Sequence, residues 1–349
     1  MSAPPTQEPL TPNSLSPGGA RENWLRSLRW LPVVALAVGL GLGGAWWVRS
    51  HLAVGDVGTA ALPSGPSFVV ASTGTAHATL AAALAAAGDG DTVILHGNGL
   101  FPTEPLAVKG KALTLRAAPG SRPDLHFAKP PAAWQALLSS DRPLTLEGID
   151  LHAAPGGEQA HLLRVVGGSL RLSDCGLTAP RRSAPVVARG AGRVELRGCR
   201  VRAGRLALCA EVAPGVPCEV VLSCNRIEVD DAGAAAVSVW AAGRHAEPTL
   251  IEMEANKIRA ARSLSLGELN AGVEVVAHNN HFDFREALLC VNGFGGPDGW
   301  RRVVTWRGQG NRYRGSGDWL CADGLPSGGR GLQAWQRIWG AEVESAEEP

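Results

Sequence analysis

The chain has 349 residues, including 44 Gly and 24 Pro, with only 5% aromatic side chains; this composition favours strands and turns over helices. Lys and Arg number 33 against 32 Asp and Glu, a formal net charge of +1, which excludes a global pull toward nucleic acid. The 7 Cys are odd in number, so at least one thiol stays unpaired unless it bridges chains.

Residues 1–20 are rich in Pro, Ser and Gly and lack apolar periodicity, which predicts a disordered cytoplasmic leader over 1–29. Arg21, Arg26 and Arg29 precede an uncharged run over 30–48, and Arg49 follows it. As a helix that run would rise about 28 Å, enough to cross the hydrocarbon core. Trp30, Trp46 and Trp47 stand at its ends as interfacial anchors. The excess of Arg on the N-terminal side predicts a single-pass cell-membrane protein: N-terminus cytoplasmic, the rest periplasmic or extracellular. A cleaved signal peptide fits less well, because the leader is long and the exit Trp46-Trp47-Val48-Arg49 lacks a small-x-small site. Residues 49–67 read as a linker.

An Ala-rich stretch over 75–87, with Leu80 and Leu84 four apart, predicts a helix. Gly88-Asp89-Gly90-Asp91 then turns into Thr92-Val93-Ile94-Leu95, read as a first strand. Residues 106–108 and 113–115 make the next turn, and 134–138 read as a short loop helix.

From residue 144 one phrase recurs: two apolar residues at alternating positions, a two-residue break, an Asn or Cys, and a further apolar residue two places on. It reads Leu144-x-Leu146-x-x-Ile149-x-Leu151, Leu170-x-Leu172-x-x-Cys175-x-Leu177 and Val194-x-Leu196-x-x-Cys199-x-Val201. It returns around Asn225, Asn256, Asn280 and Asn311, the last copy carrying Gly308 in an apolar slot. The central positions lie 26, 24, 26, 31, 24 and 31 residues apart, a period that signals a repeat architecture. Alternation at a two-residue spacing is a strand with one buried face. Asn at the break predicts a corner, since it tolerates left-handed backbone and bonds backbone groups. Corners stacked about 4.8 Å apart would let each Asn bond its neighbours in a ladder, continued by the smaller Cys175 and Cys199. Further strands are expected at 161–166, 185–188, 206–210, 235–240 and 287–291. The pattern predicts an all-β right-handed parallel β-helix over 68–345 with helical caps, followed by a tail at 346–349. The Asn column argues against a β-sandwich of hairpins.

Near the C-terminus Leu332, Trp335, Ile338 and Trp339 fall at helical spacing. A cap burying both indoles is preferred to an aromatic sugar platform, because an open coil end invites edge pairing.

Three stretches carry a family resemblance. Thr79-Leu80 through Gly90-Asp91-Thr92-Val93-Ile94-Leu95 to Gly99 resembles the N-terminal cap of pectin-lyase-like β-helix proteins. Leu332-Gln333-Ala334-Trp335-Gln336, with Gly340 and Ser345, resembles the C-terminal caps of bacterial β-helix proteins. The layout of leader, span and coil is similar to the extracytoplasmic half of planctomycete receptor-type serine/threonine protein kinases. The chain has no kinase Gly-rich loop, His-Arg-Asp or Asp-Phe-Gly, so the resemblance implies a fold and no kinase activity.

On stacked rungs the position after each corner forms a column: Asp150, Gly176, Arg200, Arg226, Lys257, His281 and Arg312. Two places on stand His152, Thr178, Arg202, Glu228, Arg259, Asp283 and Arg314, alternating in sign from Arg202 onward, which cross-strand pairing explains. The basic run in the first column repels itself, so either Glu228 and Asp283 neutralise it or it meets an anionic partner. Arg200, Arg226, Lys257, His281 and Arg312 are therefore the expected ligand-binding residues, for an anionic polysaccharide or envelope polymer.

Catalysis on this fold would need clustered acids or a calcium site. No Asp stack on adjacent rungs is read beside Asp230-Asp231, and Asp283-Phe284-Arg285-Glu286 is the best remaining cluster. Both read more simply as solvated surface. His278 and His281 lack a third metal ligand, and no cofactor motif appears. One disulfide among Cys209, Cys218 and Cys224 is expected in an oxidising compartment. The sequence therefore predicts a non-catalytic binding or sensing module. Its rivals are a polysaccharide lyase, glycoside hydrolase or esterase using Asp230, Asp231, Asp283, Arg285 or Glu286, and the outer half of a split receptor kinase.

Overall fold

The computed structural model describes residues 67–127, 135–153, 161–179, 184–241, 247–269, 271–294, 299–323, 325–326, 329–340 and 342–348. Each copy of the phrase opens as a strand whose alternating apolar residues share one buried side: Leu144, Leu146, Leu170, Leu172, Val194 and Leu196 are all core. These strands stack parallel and in register. Leu172 lies between Leu146 and Leu196, and the ladder continues through Cys218–Ser223, Thr249–Glu254, Val273–His278 and Val304–Gln309.

Two further parallel ladders complete each rung. One follows the corner: Asp150–His152, Gly176–Thr178, Arg200–Ala203, Arg226–Val229. The other stacks His161–Val166, Val186–Arg189, Leu206–Val212 and Ala235–Ala241. Lys257–Gly267 and His281–Asn292 run through both, with a register shift at Ala260/Arg262. Three strands per rung, each paired to the equivalent strand of the next rung, make a parallel β-helix. Residues 136–140, partly covered by the expected loop helix, instead form the strand Ala136–Ser140. Pairing with His161–Val166 supplies the backbone partners that an isolated turn of helix could not.

The corner differs from expectation by one residue. Left-handed backbone falls not on the Asn but on the residue before it: Gly148, Asp174, Gly198, Cys224, Ala255, Asn279 and Gly310 all have positive φ. Their N–H groups bond the next rung, as Gly198 to Ser223 O at 2.9 Å and Asn279 to Gln309 O at 2.9 Å. The following side chain is thereby turned inward.

There the ladder forms as the sequence predicts. Asn225, Asn256, Asn280 and Asn311 are at most 2% exposed. Asn256 Oδ1 accepts from Asn225 N and Nδ2 at 3.0 and 2.9 Å, while its own Nδ2 donates to Leu222 O at 2.7 Å. Asn280 and Asn311 repeat the pattern one rung on. Cys199 and Cys175 keep the carbonyl contact, Sγ to Leu172 O and to Leu146 O, both at 3.5 Å.

Both described ends of the coil are covered. At the first, the expected helix over 75–87 begins later: Thr79 caps α1 (Leu80–Ala86) by accepting from Ala82 N–H. Thr75–His77 instead pairs antiparallel with Ser67–Val70, which pairs antiparallel with Asp91–His96. Lys111 Nζ ties the helix down, donating to Leu84 O and Ala87 O at 2.6 Å each. At the other end α2 (Leu332–Trp339) stops at Gly340 in left-handed geometry. It buries Trp335 completely and leaves Trp339 half-buried against Trp300.

The chain then adds a partial rung that starts ahead of the segment expected as a tail and runs into it. Ala346–Glu347 pairs parallel with Arg312–Gly315, and Ser345 Oγ takes the next place in the ladder by accepting from Asn311 N at 3.0 Å. Among the described residues no helix is long and apolar enough to cross a membrane; the span expected at 30–48, with its leader and most of the linker, lies outside them.

Candidate functional site

The residue after each corner points outward, because its neighbours on either side face the core. Register places these residues in one column: Asp124, Asp150, Gly176, Arg200, Arg226, Lys257, His281 and Arg312. Two positions on, His126, His152, Thr178, Arg202, Glu228, Arg259, Asp283 and Arg314 form a second column. This face is acidic and histidine-bearing at its N-terminal rungs and basic from Arg200 onward.

Where the two regimes meet there is a groove of about 970 Å³. Its floor is low because Gly176 has no side chain and Thr178 a short one. Asp150 and His152 stand on one side, Arg200, Arg202 and Arg226 on the other. Arg122 closes the acidic end, its fork donating to both Asp150 oxygens at 2.9 and 2.6 Å; that bond holds the Arg122 guanidinium pKa above its ordinary value.

Neutralisation of the basic column is partial. Glu228 takes Arg226, its Oε1 accepting at 2.6 and 2.8 Å. Glu348 stands near His281 and Arg312 at 3.5 and 3.6 Å, and Asp283 is 3.7 Å from Arg259. Arg200 and Lys257 make no ion pair with a described residue.

The residues weighed for catalysis have a structural occupation. Arg285 donates to the Asp230 and Asp231 carbonyls at 3.0 and 3.2 Å. Glu286 accepts from Gly233 N at 2.7 Å and pairs with Arg262 at 3.0 Å, and Asp230 lies 3.6 Å from Arg202. Together these contacts clamp the turn around Gly233 to the strand His281–Asn292.

The stacked acids that sequence reading excluded do occur, as Asp124 on Asp150. Their signal is a repeated tripeptide, Asp124-Leu125-His126 and Asp150-Leu151-His152, which escaped the phrase because the earlier rung lacks the corner pattern. Asp124 Oδ2 is 3.2 Å from His152 Nδ1. Burial pushes the Asp124 carboxyl above the ordinary carboxylate range, His152 pulling it down and Asp150 adding to the rise. His152 thus presents its remaining ring nitrogen from an anchored ring beside the groove. Among the described residues, no three His, Cys, Asp or Glu side chains have metal-holding geometry.

All seven cysteines are free thiols in this structure. The trio expected to hold a disulfide is dispersed: Cys209 accepts from Trp240 Nε1 at 3.3 Å, Cys218 is buried on the neighbouring ladder, and Cys224 is exposed at a corner.

Fold and groove define a parallel β-helix with a sign-divided outer face. Comparison with family models, with curated proteins and with solved structures finds no match in any of the three.

Proposed function

We propose that this face binds an anionic polymer, a polyuronate-like glycan or phosphodiester-linked envelope polymer, lying along the column from Arg200 to Arg312. The coil, wound right-handed as parallel crossovers overwhelmingly are, would be displayed outside the cytoplasm from the span at 30–48. One observation carries the reading. In both columns from residue 200 to 314 there are seven Arg and Lys against Glu228 and Asp283 alone, in register on one ladder. Charges repeating about every 4.8 Å match a polymer with charges on successive units, and Arg grips carboxylate or phosphate through two parallel bonds. The resemblance to receptor-kinase outer halves makes the same face a sensing surface.

Retention on immobilised polyuronate and teichoic-type polyphosphodiester, against neutral glucan, tests the proposal. Binding should fall steeply with salt; retention equal on all three polymers, or on none, would remove it.

The Asp124–His152 contact beside the groove favours an enzyme as the second reading, with His152 as an oriented proton acceptor. Turnover on acidic and neutral polysaccharides, with and without calcium, that disappears in His152→Ala but not Asp283→Asn would establish it.

A further inference from the structure

The third ladder carries an outward column of small polar residues in register: Cys209, Ser238, Ser265, Cys290 and Cys321. Cys290 and Cys321 are direct partners on adjacent parallel strands. Such partners sit about 4.8 Å apart with Cβ atoms pointing the same way, inside the roughly 4.4–6.8 Å Cα separation that a disulfide spans, and bonding draws the two Cβ atoms together by roughly 0.5–1 Å. Cys321 is half-exposed and Cys290 buried.

A second stacked pair, Cys175 and Cys199, supplies the contrast. These thiols face the core at 0% and 1% exposure, and their sulfurs are occupied with backbone carbonyls. No reagent reaches them while the coil is closed.

We propose that Cys290 and Cys321 are a reversible dithiol–disulfide pair that closes by exchange with a small-molecule or protein disulfide. Cys321, as thiolate, attacks one sulfur of the incoming disulfide and releases the first thiol. Cys290 then gives up its proton and attacks Cys321 Sγ, expelling the second. Two protein thiols become one disulfide, and the incoming disulfide is reduced to two thiols, so electrons and protons balance. Burial first, and Cys321 second, pushes the Cys290 thiol up to about 12, so the closing step quickens with pH. The bond encloses the segment bearing Trp300, Trp306, Tyr313 and Trp319, the aromatic core of the last rungs. The inference is independent of the polymer reading and needs only an oxidising compartment.

The test treats the full chain with oxidised glutathione, blocks remaining thiols with N-ethylmaleimide, and maps peptides by mass spectrometry. The expected product links Cys290 to Cys321 with no retained glutathione, while the exposed Cys224 keeps one glutathione and Cys175 and Cys199 stay reduced. In Cys290→Ser, checked for fold by circular dichroism, Cys321 should retain glutathione as Cys224 does. Cys224→Ser should leave the link intact. Wild-type Cys321 that retains glutathione, bonds another cysteine, or stays unreacted while Cys224 is modified would overturn the proposal.

Discussion

The carboxyl group of Glu342 occupies the space that a Cβ on Gly308 would fill, and the Glu342 N–H donates to Gly308 O at 3.1 Å. The gap at Gly308 in an otherwise apolar slot is therefore the seat of a buried acid. Glu342 is 3% exposed. It accepts from Trp306 Nε1 at 2.5 Å, Tyr313 OH at 2.7 Å, Trp335 Nε1 at 3.2 Å and Ser345 Oγ at 2.6 Å. One side chain thus joins the last full rung, the partial rung and α2, and burial beside it pushes the Tyr313 phenol well above its ordinary pKa.

Removing that acceptor orphans three buried donors, Trp306 Nε1, Tyr313 OH and Trp335 Nε1, and the half-buried Ser345 hydroxyl. Glu342→Ala should cost about 3–5 kcal/mol, Glu342→Gln about 1–3 and Gly308→Ala about 1–3. Urea unfolding followed by indole fluorescence reads all three, because Trp306 and Trp335 touch the carboxyl group.

The ladder makes a graded prediction. Asn280→Ala leaves Asn256 N–H and Met253 O without their partners and should cost about 2–4 kcal/mol. Asn280→Cys should cost less, because Cys175 and Cys199 show that a thiol in this column still reaches the carbonyl. Thermal melts of the two variants compare them directly; equal losses would mean that the thiol contact contributes nothing.

Asp124 gives a pH dependence with a definite sign. Its folded pKa lies above the unfolded value, so between the two the folded chain holds more protons and stability falls as pH rises. Below the ordinary carboxylate range both states are protonated and the effect vanishes. In Asp124→Asn, denaturation midpoints measured from pH 3 upward should lose this decline; a slope unchanged from wild type would contradict it.

Much of this fold is legible because its physics is periodic. The alternation around Leu170 and Leu172 and the recurrence of Asn225, Asn256, Asn280 and Asn311 are repeated constraints, and each rung restates the previous one. Single events are harder to read. Left-handed backbone at Ala255 and Cys224 has no residue signature, since Gly fills that place only at 148, 198 and 310. Glu342 carries no repeat signal of its own, and its role appears only when the gap at Gly308 is set opposite it. The basic column is visible in register, but Glu348, which comes near His281 and Arg312, belongs to a rung whose slots opposite Gly308, Asn311 and Tyr313 hold Glu342, Ser345 and Glu347 and so carry no apolar signal. Asp124 and His126 lie on a rung that no copy of the phrase marks.

The most direct test of the basic face is the salt dependence of polyuronate binding by wild type and by Arg200→Gln/Arg226→Gln/Lys257→Gln/Arg312→Gln. A control carries Arg171→Gln/Arg193→Gln/Arg307→Gln on the first ladder, where these arginines pair with Glu195, Glu219 and Glu274. The account predicts at least a tenfold weaker affinity and a shallower log–log salt slope for the first variant, with the control close to wild type. Equal slopes and affinities for all three proteins would contradict it.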